Sequence, residues 1–136
     1  MPNAHLPESK HFTLKQLTDG VYACIHTPGG AAFSNAGIID LGDRTLIVDT
    51  FHTRAAGRDL RQTAEALFAR PVETAILTHG HNDHWVGACA LDASTMLLAS
   101  KIAREVYLRW VPMILADFQN PSLWEEMLRE TEQALQ

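Results

Sequence analysis

From His11 to Val48 the apolar positions recur with a period of two, and turn residues break the runs. "HFTLKQL" (His11–Leu17) and "GVYACIH" (Gly20–His26) read as two strands joined at Asp19-Gly20, a good hairpin dipeptide. "TPGG", Thr27 to Gly30, follows as a flexible loop. "SNAGIIDLGDRTLIVDT" then predicts a second hairpin, with strands over Asn35–Asp40 and Thr45–Val48 and a turn at Gly42-Asp43. Ile39, Leu41, Leu46 and Val48 alternate with polar or opposite-facing positions along it.

Beyond Val48 the period changes. Thr53 can cap a helix running to about Ala69, with Ala56, Leu60, Ala64, Leu67 and Phe68 at helical spacing and Pro71 to stop it. A short strand, Thr74 to Leu77, carries adjacent apolar residues Ile76 and Leu77, as expected where a strand is covered on both faces. Thr95–Ala99 reads as a further strand. Ser100 can cap a helix with Ile102, Val106, Tyr107 and Trp110 on one face. In "NPSLWEEMLRETEQALQ", Ser122 and Glu125 have capping-box spacing, and Leu123, Trp124, Met127, Leu128 and Leu135 form a stripe with no residue that ends a helix. Antiparallel strands followed by strands alternating with helices predict an α/β fold with helices covering at least one face of the sheet.

The chain has 136 residues, the size of one domain, and a hydrophobic fraction of 46%, which suits a packed core rather than disorder. Its net charge of -5 argues against nucleic acid or anionic lipid as a partner. No stretch has the length of a membrane span or the apolar core of a signal peptide, so a cytoplasmic location is expected. Two cysteines, Cys24 and Cys89, are expected to be reduced and partly buried thiols.

The candidate chemistry is concentrated in "ILTHGHNDHWVG", Ile76 to Gly87. His79, His81, Asp83 and His84 fall within six positions, directly after an apolar strand. His79 and His81 are two apart, so an extended backbone points both rings to one side. Gly80 allows the chain to bend between them. Neutral imidazoles with a carboxylate suit zinc, and also iron or manganese. Solvated loop residues are the ordinary alternative. The density of donors after a buried strand favours a metal site.

"THGHNDH", Thr78 to His84, resembles the H-x-H-x-D-H motif of the metallo-β-lactamase superfamily. The resemblance covers about Phe12 to Ser100. It includes the two hairpins, the strand-end aspartate of "LIVDT" (Asp49), and a short helix after the motif, here expected at Trp85–Leu91. It implies the N-terminal half of an αββα sandwich built on a mixed sheet, with residues 1–136 forming one truncated domain. It also implies that His79 and His81 hold one zinc ion and that Asp83 and His84 hold a second. Asp83 would also orient the nucleophile, and Asp49 would steady the metal-binding loop. Read by itself, Asp49 can equally be a strand-end carboxylate capping the next turn.

The implied activity is hydrolysis of an ester, thioester, lactone, amide or phosphodiester bond in a small-molecule substrate. A bound metal lowers the pKa of its water from about 15.7 to about 7, which makes hydroxide available at neutral pH. His81 bears on the metal, because relatives that reduce oxygen or nitric oxide at a di-iron site commonly carry a carboxylate there.

The resemblance stops short of a complete site. The family takes a third histidine for the first metal, a bridging carboxylate and a further histidine from later strands, whereas no histidine follows His84. Asp92 and Asp117 lie downstream without the family's Gly-rich context. The isolated chain is therefore expected to bind zinc weakly, to lack activity, and to need either its C-terminal half or a second copy of itself. A non-catalytic metal-binding or structural half-domain is the alternative. His5 and His11 are expected to be solvent-exposed. His26 and His52 are expected to play ordinary polar roles, with substrate contact as the alternative. Phe33 and Trp85 read as core aromatics rather than pocket walls.

Overall fold

The computed structural model describes residues 7–118. His5 and the amphipathic segment from Asn120 onward lie outside the described residues. The chain divides into two compact units after Ser100. The first holds the sheet and the histidine turn.

Six strands form one mixed sheet in chain order: β1 (Phe12–Thr18), β2 (Val21–His26), β3 (Ala36–Asp40), β4 (Thr45–Val48), β5 (Val72–Leu77) and β6 (Met96–Ala99). The first four are antiparallel, and short turns join β1 to β2 and β3 to β4. Gly20 and Gly42 occupy the two turns at φ 71° and 92°, where a side chain would be strained. β4–β5 and β5–β6 are parallel. A parallel neighbour needs a crossover. Helix α1 (Arg54–Phe68) supplies the first, and α2 (Asn82–Trp85) with a 3-10 helix (Val86–Ala90) supplies the second.

Pairing register fixes the two faces. Leu14 lies opposite Cys24, Tyr22 opposite Ile38, Ile38 opposite Ile47, and Ile47 beside Ala75. These residues line the face under α1, where Phe12, Phe51, Leu60 and Ala64 complete the core. Thr53 caps α1 as its sequence predicts: its side chain accepts from the Ala56 N–H. Helix α1 ends at Ala69 in the left-handed region, φ 51°. Arg70 then ties the helix end to the β3–β4 turn through Thr45 Oγ1, the carbonyls of Gly42 and Arg44, and Asp40. Cys24 and Cys89 are both free thiols, and burial pushes Cys24 up to about 12.

The other face is open. Val48 lies beside Ile76 and Ile76 beside Leu98. Ile76, Met96 and Leu98 on this face are 36%, 51% and 44% exposed, in keeping with helices on one face of the sheet. The second unit carries helix α3 (Lys101–Phe118), directly after Ser100 and with Pro112 inside it. Ile102 and Trp110, expected on its apolar face, are exposed. Among the described residues, no helix is long and apolar enough to cross a membrane.

Candidate metal centre

Two chain reversals build the site. The first follows β4. Asp49 and Phe51 both adopt left-handed backbone, φ 61° and 70°, although neither is glycine. Such residues cost roughly 1–3 kcal/mol each and persist only where surrounding contacts hold them. Here Asp49 N–H donates to the Ile76 carbonyl (2.8 Å), Thr50 N–H to His84 (2.9 Å), and Gly87 N–H to Phe51 (2.9 Å). The second reversal is the histidine turn at the end of β5. His81 keeps extended backbone as the residue before α2, and His84 N–H donates to its carbonyl (3.0 Å).

Helix α2 begins at Asn82, not at Trp85 as expected. Asp83 and His84 are therefore helical residues, and the predicted stretch holds the last residue of α2, Trp85, followed by the 3-10 helix. Trp85 is buried, and its indole N–H donates to the Gly80 carbonyl (3.0 Å), so it braces the turn from within. A Cβ at Gly87 would stand 1.9 Å from the Thr50 carbonyl oxygen, and one at Gly57 of α1 would stand 2.3 Å from the Gly87 oxygen. Both glycines are needed for this backbone contact between α1, the turn after β4 and the 3-10 helix.

The three imidazoles converge. The His79 ring lies 4.8 Å from that of His81 and 4.1 Å from that of His84. Asp83 Oδ2 lies 3.5 Å from His84 Nε2. Asp49, His79 and His84 each offer a ligand atom within 4.8 Å of the others, a group that includes neither His81 nor Asp83.

Hydrogen bonds assign work to Asp49. It is buried, and Oδ1 accepts from the Thr78 N–H (2.8 Å) and hydroxyl (3.0 Å). Oδ2 accepts from the same hydroxyl (2.8 Å) and from His84 Nδ1 (2.6 Å). With the single Thr78 hydroxyl proton directed to Asp49, His79 Nδ1, 2.9 Å away, must be the donor to Thr78. Both His79 and His84 then carry their lone pair on Nε2. A carboxylate that holds one ring nitrogen of a histidine is the usual support of a metal ligand. Imidazole nitrogens beside a carboxylate are a donor set that suits zinc. Since both Asp49 oxygens are already engaged by the loop, the carboxylate serves better as a clamp than as a ligand.

The remaining histidines sort differently. His11 is buried, against expectation. The Ala31 N–H donates to its Nδ1 (3.0 Å), Asp59 lies 4.0 Å from its Nε2, and the 27–31 loop folds over it. His26 accepts from the Phe33 N–H at Nδ1 (3.1 Å) and stacks on the Phe33 ring, an ordinary structural role. His52 meets the edge of Phe33 and bonds the Asn82 backbone, beside Asp83; burial lowers its pKa, against the opposing effects of Asp83 and that bond. Asp92 caps its own turn through Ser94 N–H and hydroxyl. Thr78 opens the motif and Thr50 adjoins Asp49, while Ser34 had no signal in the sequence.

The model of the Metallo-beta-lactamase superfamily matches residues 29–103. The chain belongs to that superfamily. Among solved structures, it is similar to a metallo beta lactamase from Erythrobacter litoralis with beta mercaptoethanol in the active site: 26% identity, TM-score 0.64, covering 76% of this chain and 47% of that one. A metallo beta lactamase from Hirschia baltica shares the fold at 24% identity and TM-score 0.61, covering 74% of this chain and 48% of that one. The metallo-beta-lactamase FIM-1 from Pseudomonas aeruginosa, in its mono-zinc form, does so at 21% identity and TM-score 0.61, covering 79% and 48%. The chain thus spans about half the length of these structures and has the mixed-sheet architecture of half of their fold. No curated protein matches it.

Proposed function

We propose that this chain supplies the N-terminal part of a dinuclear, zinc-type hydrolase site acting on an ester, thioester, lactone, amide or phosphodiester bond of a small molecule. Residues 1–136 are then a portion of one metallo-β-lactamase domain. His79 and His81 hold one ion; Asp83 and His84 hold the other. The metal, when bound, lowers the pKa of water and polarises the scissile oxygen. Asp83 is the residue assigned to orient the nucleophile, and Asp49 locks the rings of His79 and His84. The observation that carries this reading is the Asp49–His84 contact, 2.6 Å at Nδ1, with Nε2 facing Asp83 Oδ2 at 3.5 Å.

A second reading, a non-catalytic half-domain holding a single ion, draws support from the compact Asp49, His79 and His84 group. Zinc titration separates the two. The dinuclear reading expects two weak binding events, because each ion has only two ligands from this chain where an ordinary catalytic zinc has three. His81→Ala then removes the first event and leaves the second. A single event indifferent to His81→Ala and Asp83→Asn, but lost in His79→Ala, would overturn the dinuclear reading. Nanomolar, stoichiometric binding by a monomer would mean that further ligands exist.

A further inference from the structure

The short helix bearing Asp83 and His84 cannot hold itself in place. Four residues give it one turn, and after Val86 N–H the next donor that would continue it is used elsewhere. Gly87 N–H, which would bond the Asp83 carbonyl in a longer helix, donates to Phe51 instead. Three consecutive carbonyls of α2 are met from outside it. Asn82 bonds the ring of His52 as well as accepting from Val86 N–H. The Asp83 carbonyl accepts from the Ser34 hydroxyl. The His84 carbonyl accepts from both the N–H and the hydroxyl of Thr50, at 2.9 and 3.3 Å.

Thr50 and His52 belong to the turn after β4, which Asp49 already couples to the histidine turn. Ser34 does not. It comes from the β2–β3 loop, 49 positions before Asp83 in the sequence. That loop is itself fastened on both sides. Phe33 N–H donates to His26 Nδ1 (3.1 Å), and His26 N–H donates to Asn35 Oδ1 (2.9 Å). The Ala31 carbonyl accepts from the Thr53 hydroxyl (2.8 Å), and the Ala32 carbonyl accepts from His52 N–H (3.0 Å). Phe33 is held at φ 61°, with its ring between those of His26 and His52. The Ser34 hydroxyl is thus delivered by a loop whose backbone and aromatic ring have little freedom.

We propose that Ser34 is a positioning residue for the Asp83–His84 metal pair: by gripping the Asp83 carbonyl it sets the angle at which α2 presents both side chains. This rests on the proposed ligand roles of Asp83 and His84. Removing the hydroxyl takes away the grip on the residue that bears the Asp83 carboxylate and lets α2 tilt about its remaining bonds to Thr50; the His79–His81 pair, on the β5 side, loses no such bond. Partners that orient metal ligands typically change affinity about 10–100-fold when removed.

The experiment is zinc titration of the full chain, followed through the imidazole ¹⁵N signals of His79, His81 and His84, in Ser34→Ala, Ser34→Thr and Asp83→Asn. Ser34→Ala is expected to weaken the zinc event sensed by His84 at least tenfold and to leave that sensed by His81 within twofold; Ser34→Thr restores it. Without zinc, the Asp83 carbonyl ¹³C shift is expected to move in Ser34→Ala and to return in Ser34→Thr, a readout of the bond itself. If Ser34→Ala does not fold, Ser34→Cys, a weak donor of similar size, takes its place with the same expectations. An unchanged His84 event with a shifted Asp83 carbonyl overturns the positioning role, as does an unchanged carbonyl shift. If Asp83→Asn also leaves the His84 event unchanged, it is the ligand assignment that has failed.

Discussion

At the scale of single residues, Asp49 has the most consequences. Its two oxygens fix Thr78, and through Thr78 and His84 Nδ1 they fix the protonated nitrogen of two candidate ligands. Asp49→Asn replaces one acceptor oxygen with a donor NH₂, which faces groups that must themselves donate. Zinc affinity is expected to fall about 10–100-fold. Stability falls by about 1–3 kcal/mol, since a buried N–H or hydroxyl loses its acceptor. Calorimetric titration and urea unfolding of the same variant measure the two effects.

His11 makes a different prediction. Burial lowers its pKa from 6.5, the nearby Asp59 opposes that shift, and Lys10 and Arg58 add to it. The unfolded chain therefore takes up this proton first as pH falls. Stability supplied by neutral His11 is complete above about pH 6.5 and is lost as pH drops toward the lowered folded-state value. Asn at this position can still accept from Ala31 N–H without titrating. Urea unfolding at pH 7.5 and 5.5 is expected to show a smaller loss in His11→Asn than in the parent; equal losses would remove His11 from the account.

At the scale of elements, backbone contact decides more than propensity. The Gly57–Gly87 approach and the Gly87–Thr50 contact leave no room for a methyl group. Gly87→Ala is expected to cost about 3 kcal/mol or more, since the atom it would strike is backbone and cannot rotate away. The end of α1 gives the opposite sign. Ala69 sits at φ 51°, a position that glycine takes without strain. Ala69→Gly is expected to leave stability unchanged or raise it by up to about 1 kcal/mol, because the strain it relieves exceeds the added freedom of the unfolded chain. Chemical denaturation midpoints of the two variants should move apart.

At the scale of the whole molecule, the open face of the sheet is the main unsolved surface. Ile25, Ile76, Met96 and Leu98 are all exposed large apolar residues of the strands on that face. Soluble monomers rarely expose a contiguous apolar patch beyond a few hundred Å². Covering about 500 Å² of it would contribute roughly 12 kcal/mol at about 25 cal/mol per Å², before association costs. The chain by itself is therefore expected to form a homo-oligomer, most simply a two-fold dimer that sets one open sheet against another. Light scattering across a concentration series tests this, and a compact monomer at every concentration would exclude it.

The sequence alone determined the order and type of the elements, because period-two and helical spacing are local properties that the packed core keeps. Both hairpins, the Thr53 cap and the strand before the histidines lie where the pattern puts them. It also singled out His79, His81, Asp83 and His84, since ligands crowded into one turn are visible as letters. Tertiary structure decided what those letters could not carry. Ser34, Thr50 and Thr78 are common residues that acquire a role only when three separate turns meet. His11 is polar in composition but buried by a loop that folds over it. Helix α2 starts at Asn82 because its carbonyls find partners after β2 and β4, contacts between residues distant in the chain that no local pattern encodes.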